Sequence, residues 1–227
     1  MRAPISVIIP TLNATNSLPQ TVASLFEGLE AGLIRELIFS DGGSDDQISA
    51  LAEELGASLI TGDKSRGGQL RRGAQNASAG WFLFLHADTY LAENWSSKVL
   101  DHITAHPDQA ACFRLRFRHS GLRPVIVASW ANLRSRLLGL PYGDQGLLIS
   151  QRLYNDLGGY QDIPLMEDVA IARALRGNIR LLNSAASTNA DKFIRDGWFW
   201  RGARNLWALS RYFAGASPES LASKYDK

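Results

Sequence analysis

Five short segments of the chain hold residues whose types and spacing could do chemistry. Asp41 opens Asp-Gly-Gly-Ser, and Lys64 and Arg66 lie in a basic loop closed by Gly67 and Gly68. His86 and Asp88 stand two apart in His-Ala-Asp. Asp144 and Gln145 lie between two glycines in PYGDQG, and Glu167 and Asp168 are adjacent in PLMEDV. Together these suit a nucleotide carrying a diphosphate. A hard cation such as Mg2+ or Mn2+ needs few carboxylates, because phosphate oxygens and waters complete its shell. Imidazole is a softer donor that Mn2+ accepts and Mg2+ seldom does. Asp88 and His86 are therefore the candidate metal ligands. Asp41 suits hydrogen bonds from a base or ribose, and Arg66 suits phosphate. An acid pair in a partly enclosed site, such as Glu167-Asp168, can hold a raised pKa and act as a base.

Each segment also has a plainer reading. Asp-Gly-Gly-Ser is a common turn in which the Asp bonds its own backbone. Ser44 to Gln47 has the form of a capping box that starts a helix. Lys64 and Arg66 fit solvated loop charges, and paired glycines before a helix are only a slight sign of an anion site. Acids also favour helix N-termini through the dipole, which alone would explain Glu167 and Asp168. What favours chemistry is the coincidence of four such signals at four strand ends.

The elements that must position these residues alternate. Apolar runs at 5–10, 36–40, 57–61 and 81–86 read as strands, separated by helical stretches over 18–30, 44–55 and 68–79. Strand and helix in alternation, with strands apolar throughout, predict a mostly parallel sheet covered on both faces. Ligands of such a sheet bind beyond the carboxyl ends of its strands, where Thr11, Asp41, Arg66 and His86 to Asp88 would meet. Further on, 94–105 and 125–138 read as helices and 146–150 as a strand. Residues 112–118 alternate strictly, with Arg114, Arg116 and Arg118 on one face. That predicts a strand with an uncovered face, antiparallel or at the sheet edge. A helix is expected over 169–175.

The chain has 227 residues, a net charge of +2 and one cysteine, Cys112. This excludes a disulfide framework and a cysteine-based zinc site, and fits a reducing compartment. The start, MRAPISVIIP, lacks the length and cleavage pattern of a signal peptide, and no run approaches the roughly 20 apolar residues that span a bilayer. A cytoplasmic location is expected. Gly-x-Gly-x-x-Gly is absent after the first strand, which argues against a Rossmann dehydrogenase. The residues after that strand also lack the Gly-rich, Arg-containing loop of a sugar nucleotidyltransferase.

The order of a strand ending Pro-Thr-Leu-Asn, then Asp-Gly-Gly-Ser, His-Ala-Asp and Glu-Asp, resembles the family-2 glycosyltransferases of GT-A fold. HADT, LPYGDQG and PLMEDV resemble more narrowly a bacterial subgroup of them, and the resemblance runs from Ile5 to about Tyr225. It implies a three-layer α/β sandwich with a mostly parallel central sheet, helices on both faces and an antiparallel edge strand. The whole of 1–227 would be one domain, with a nucleotide-binding half (1–92), an acceptor and catalytic half (93–190) and a C-terminal segment (191–227). It implies inverting, metal-dependent transfer of a hexosyl group from a nucleotide sugar, typically a UDP-sugar, to a hydroxyl. Asp168 would be the general base with Glu167 beside it, and Asp88 the metal ligand. Thr11, Asp41, Arg66 and Ala87 would lie at the nucleotide, Asp144 and Gln145 on the acceptor side. The family has an acid where His86 stands, so the choice and affinity of Mn2+ or Mg2+ are open. His86 is also the feature that favours the alternative, a nucleotide-sugar-binding protein without turnover.

Residues 113–143 hold six arginines and no acid, and 191–213 interleave Lys192, Arg195, Arg201, Arg204 and Arg211 with Trp198, Trp200 and Trp207. Two readings of the C-terminal segment stand. It is a solvated basic face whose tryptophans close the core, or a membrane-surface helix bringing the protein to a lipid-linked acceptor. Nothing in it resembles a nucleic-acid recognition module.

Overall fold

The computed structural model describes residues 3–225; the last two residues of the C-terminal segment, 226–227, lie outside the described residues. Eight strands form one sheet: β1 (Ile5–Thr11), β2 (Ile34–Asp41), β3 (Ser58–Thr61), β4 (Trp81–Phe84), β5 (Tyr90–Leu91), β6 (Ala110–Phe117), β7 (Leu147–Ser150) and β8 (Ile179–Thr188). Their order is β3-β2-β1-β4-β7-β6-β8-β5. The first four run parallel. β7 is antiparallel to β4, so its leading end lies at the rim where β1 to β4 finish. β6 is antiparallel to β7 and parallel to β8, and β5 is an antiparallel edge strand.

The apolar runs are continuous because both faces are buried. β1 sends Ile5, Val7 and Ile9 into one core and Ile8 into the other. β4 divides likewise, Trp81 and Leu83 against Phe82 and Phe84. Burying each such side chain contributes about 1.5–3 kcal/mol. Trp95, fully buried, anchors the first core and donates its indole N–H to the Ser24 carbonyl at 2.9 Å. The chain passes it at Gly28, where a Cβ would lie 2.4 Å from the ring.

Several expectations need correction. The helix expected over 18–30 is two helices, Leu18–Ala23 and Phe26–Glu30, parted where Ser24 turns its carbonyl to Trp95. The capping box does not form. The helix starts at Ile48, while Ser44 Oγ donates to Asp41 Oδ1 at 2.5 Å and accepts the Asn13 N–H at 2.8 Å. The next helix starts at Arg66, capped by Ser65, rather than at Gly68. β6 is antiparallel to β7 as its alternation suggested, but it lies inside the sheet because β8 covers its other side. β8 itself, a ten-residue strand, carries no strong sequence signal.

Candidate active site

The rim is built first around Asp41. Its carboxylate is 2% exposed and accepts four hydrogen bonds, from Thr11 Oγ1 (2.9 Å), Ser44 Oγ (2.5 Å) and the N–H groups of Gly43 (2.9 Å) and Ser44 (2.8 Å). Burial pushes the carboxyl up, and these donors more than reverse it, holding it below 3.8. The turn reading of Asp-Gly-Gly-Ser is therefore correct for the side chain, whose acceptor positions are filled from within. Helix Arg66–Gln75 braces the same rim: Gln69 Nε2 donates to the carbonyls of Thr11 (2.8 Å) and Ser40 (3.0 Å), and Arg72 to that of Asp41 (2.7 Å). Sequence reasoning missed Gln69 and Arg72. Arg66, Gln69 and Arg72 recur at steps of three, which puts them on one helix face, a signal that could have found them.

Gly67 and Gly68 are not an open anion cradle. Gly67 donates its N–H to the Ile163 carbonyl and Gly68 to the capping Ser65 Oγ. A Cβ on Gly67 would lie 2.0 Å from the Gln161 carbonyl oxygen. The glycines let loop 161–163 lie against the helix, and this brings Arg66 to Glu167.

Arg66 is the electrostatic centre. Its Nε is 3.1 Å from Glu167 Oε1, and its Nη2 contacts the His86 ring, 2.7 Å from Nε2 and 3.1 Å from Nδ1. Burial opposes its charge, but Glu167, Asp168, Asp144 and Asp88 hold its pKa up. Glu167 is 2% exposed. Burial pushes its carboxyl up to about 7, although Arg66 pulls the other way and Asp168 adds to the rise. One guanidinium shared among several acids cannot fully offset the burial of this carboxyl. Burial and the neighbouring Arg66 and Lys192 push His86 well below its ordinary value, so the ring is neutral at pH 7.

β4 delivers His86, Ala87 and Asp88 beyond its end. Thr21 Oγ1 donates to the Ala87 carbonyl at 2.7 Å and Arg118 to that of Asp88 at 3.2 Å. Antiparallel β7 brings the turn Gly143–Gln145 to the same place. Gly143 donates its N–H to Asp168 Oδ2 at 2.8 Å, and a Cβ there would lie 2.5 Å from His86 Nε2. Asp168 Oδ1 accepts the Val169 N–H at 2.7 Å, in the first turn of helix Glu167–Ala174. Its preceding residue, Met166, has φ 67°, which turns the chain sharply into the helix. Burial raises Asp144 to about 6, opposed by Arg134 and reinforced by Asp168. Its Oδ1 is buried without a hydrogen-bond partner.

His86, Asp88, Asp144, Glu167, Asp168 and Arg66 thus gather as expected. Gln145 does not face an acceptor. It is fully buried, accepting from Ser135 Oγ (2.7 Å) and donating to the Phe113 carbonyl (3.0 Å), which ties helix Leu122–Leu138 to β6.

Residues 6–153 match the profile described as Glycosyl transferase family 2. The chain belongs to this family. The family match ends before Glu167 and Asp168, so their place in the site rests on the fold alone. Solved structures share that fold. Glucosyl-3-phosphoglycerate synthase from Mycobacterium tuberculosis, in complex with Mn2+, UDP and phosphoglyceric acid, is 20% identical over 82% of this chain and 69% of its own, with a TM-score of 0.56. S. aureus TarS 1-349 is 17% identical over 96% of this chain and 68% of its own, at 0.64. GalNAc-T7 with UDP, GalNAc and Mn2+ is 14% identical over 82% of this chain and 44% of its own, at 0.63. No curated protein matches the chain in sequence.

Among the described residues, no group of three or more His, Cys, Asp or Glu side chains could hold a metal ion. Asp88, with Asp144 and its unpartnered Oδ1 in its field, would fit a cation whose other ligands are diphosphate oxygens and water. His86 fits less well, because Arg66 already occupies its ring nitrogens.

Proposed function

We propose that this chain is an inverting glycosyltransferase of the HADT, LPYGDQG and PLMEDV subgroup. It moves a hexosyl group from a UDP-sugar to an acceptor hydroxyl, here read as lipid-linked, at the inner face of a membrane, with residues 1–227 acting as one catalytic domain. The observation that carries the reading is Arg66, a guanidinium in the field of Asp88, Asp144, Glu167 and Asp168. Four acids around one guanidinium leave the site suited to a divalent cation, through which it would meet the negative charge of a nucleoside diphosphate.

Asp168 takes the proton of the acceptor hydroxyl as that oxygen bonds to the anomeric carbon. The bond from that carbon to the diphosphate breaks, and UDP leaves with the electron pair. Each Asp168 oxygen accepts one backbone N–H and keeps a lone pair for the proton. Glu167, buried and paired, holds Arg66 in place rather than meeting the acceptor. Asp88 would hold a divalent cation, Mn2+ or Mg2+, which would supply positive charge against the leaving diphosphate. Thr11 and Asp41 shape the wall beside the base, and the Ala87 backbone lies at the ribose. Asp144 borders the acceptor.

The test is calorimetric titration of UDP with and without Mn2+ on wild type and Asp88→Ala. Metal-dependent binding that the variant loses supports the site. Absence of UDP binding under every condition removes the uridine donor. A second reading, a nucleotide-sugar binder without turnover, is favoured by His86 standing in the position of an acid and bonded to Arg66. Binding without release of UDP from any UDP-hexose, acceptor or water, would select it.

A further inference from the structure

Helix Leu122–Leu138 is inverted. Its small residues face inward: Ala128 and Ala131 pack on Leu115, Phe117 and Trp198. Its large residues face out. Leu122 is 80% exposed and Leu137 68%, and Ile126, Trp130 and Leu133 on the same stripe are each about half exposed. These recur at steps of three and four, which is one face of a helix. Beside it, helix Trp198–Phe213 exposes Phe199, Trp200 and Trp207. The two helices pack together, since Ala128 and Ala131 of the first share one buried cluster with Trp198 of the second. A contiguous apolar face of this kind on a water-soluble protein marks an interaction site.

From this face we infer a docking surface for an anionic lipid bilayer, formed mainly by the outward stripe of helix Leu122–Leu138. Charge selects the occupant. Residues 113–143 carry six arginines and no acid, whereas the whole chain is only +2, so the remainder is net negative. Arg123 and Arg136 are exposed on the same helix as the apolar stripe. A second copy would bring like charges to the seam. Aliphatic and tryptophan side chains flanked by arginines match the layered polarity of a membrane surface, where apolar groups enter the acyl boundary and guanidinium groups stay with phosphates. No described helix is long and apolar enough to cross a membrane. The helix therefore lies along the surface rather than spanning it. Its end leads into the site: Arg134 stacks on Tyr142 at 3.5 Å, and Ser135 bonds Gln145 in the turn that holds Asp144. A bilayer on this face would present a lipid-borne hydroxyl beside Asp144 and Asp168.

The surface extends the acceptor reading beyond the C-terminal segment to a second element, and its test needs no turnover. Full-length protein is sedimented with phosphatidylcholine vesicles, with and without about one-third phosphatidylglycerol, at about 0.05 and 0.15 M salt. Wild type should sediment with the anionic vesicles, less so at higher salt. The exposed pair Ile126→Ser/Trp130→Ser should lower the partition coefficient roughly tenfold or more. The charge pair Arg123→Glu/Arg136→Glu, which removes no apolar contact, should do so chiefly on anionic vesicles. Thermal melting of both variants guards against misfolding. No sedimentation of wild type at low salt overturns the inference, as does equal binding by wild type and both variants. A dimer in solution that Ile126→Ser/Trp130→Ser dissolves, with no vesicle binding, overturns it in favour of a second copy. Failure of UDP binding leaves this result untouched, so the two readings fall separately.

Discussion

The backbone N–H of Gly143 donates to Asp168 Oδ2 across 2.8 Å, tying the turn after helix Leu122–Leu138 to the proposed base. The same glycine lies against His86, and a Cβ would stand 2.5 Å from its Nε2. Gly143→Ala should therefore push the His86 ring and loosen Arg66, its partner. The expected outcome is a fold intact by circular dichroism, a stability loss of about 1–3 kcal/mol, and weaker UDP binding by calorimetry. Unchanged UDP affinity would show that the crowding at His86 has no bearing on the nucleotide.

Asp168→Asn keeps the side-chain shape and removes the base, at the cost of the acceptor for one of the N–H groups of Gly143 and Val169. Transfer should fall by about 10²–10⁴-fold, while UDP affinity in the same titration stays within a factor of about three. Wild-type transfer rates in this variant would move the base to another residue, with Asp144 the next to test.

Asp41 is a stability residue as well as a wall of the site. In Asp41→Asn the amide oxygen can keep the N–H groups of Gly43 and Ser44, but the nitrogen then faces the hydroxyls of Thr11 and Ser44, which lose their acceptor and must turn, and the charge that strengthens all four bonds is gone. The expected loss is about 2–4 kcal/mol in urea unfolding. The pH dependence follows from the lowered carboxyl. Its folded pKa lies below the ordinary 3.8, so its contribution is complete above 3.8 and is lost as pH falls through the folded value. Wild type should lose stability more steeply than the variant in that acid window.

Glu167 has the opposite sign. Its carboxyl rises from 4.5 to about 7, so the favourable term is complete below 4.5 and is lost as pH climbs through 7. Glu167→Gln mimics the protonated acid. Its stability should match wild type near pH 4 and exceed it at pH 8, by of order 1–3 kcal/mol. Melting temperatures across this range check it, and a difference that is flat with pH would mean that Arg66 fully compensates the buried charge.

β1 and β4 were legible because residues buried on both faces must be apolar throughout, as in Ile5–Pro10 and Trp81–Leu85, whereas β2 and the edge strand β3, less deeply buried, were legible from short apolar runs between helices. The convergence of Asp41, Arg66 and Asp88 followed from strand ends sharing a rim; Asp168, at a helix start, was placed with them only by the family resemblance. β8 was not legible. Its Asn-Ser-Ala-Ala-Ser stretch is small and polar, and pairing with β6, not side-chain hydrophobicity, makes it a strand. Ser44 was misread because the same letters that cap a helix can serve a carboxylate three residues back. Gln145 looked like a ligand because a polar residue between glycines suggests an open loop, yet its amide is consumed by Ser135 and Phe113. Helix Leu122–Leu138 was read only as a helix, since its letters show where apolar residues lie but not which side the core takes.

The pairing of β4 with β7, Phe84 opposite Leu147, also dictates when the site comes into being as the chain emerges from the ribosome. The nucleotide rim, from Thr11 to Asp88, draws on strands close in sequence and is available to close first. The base side waits. β7 must arrive to seat Gly143 before its N–H can hold Asp168, the proposed base. Contacts this remote in sequence form late. In a growing chain the rim from Thr11 to Asp88 is therefore expected to form before the proposed base is seated, so the proposed donor site would precede the proposed catalytic one.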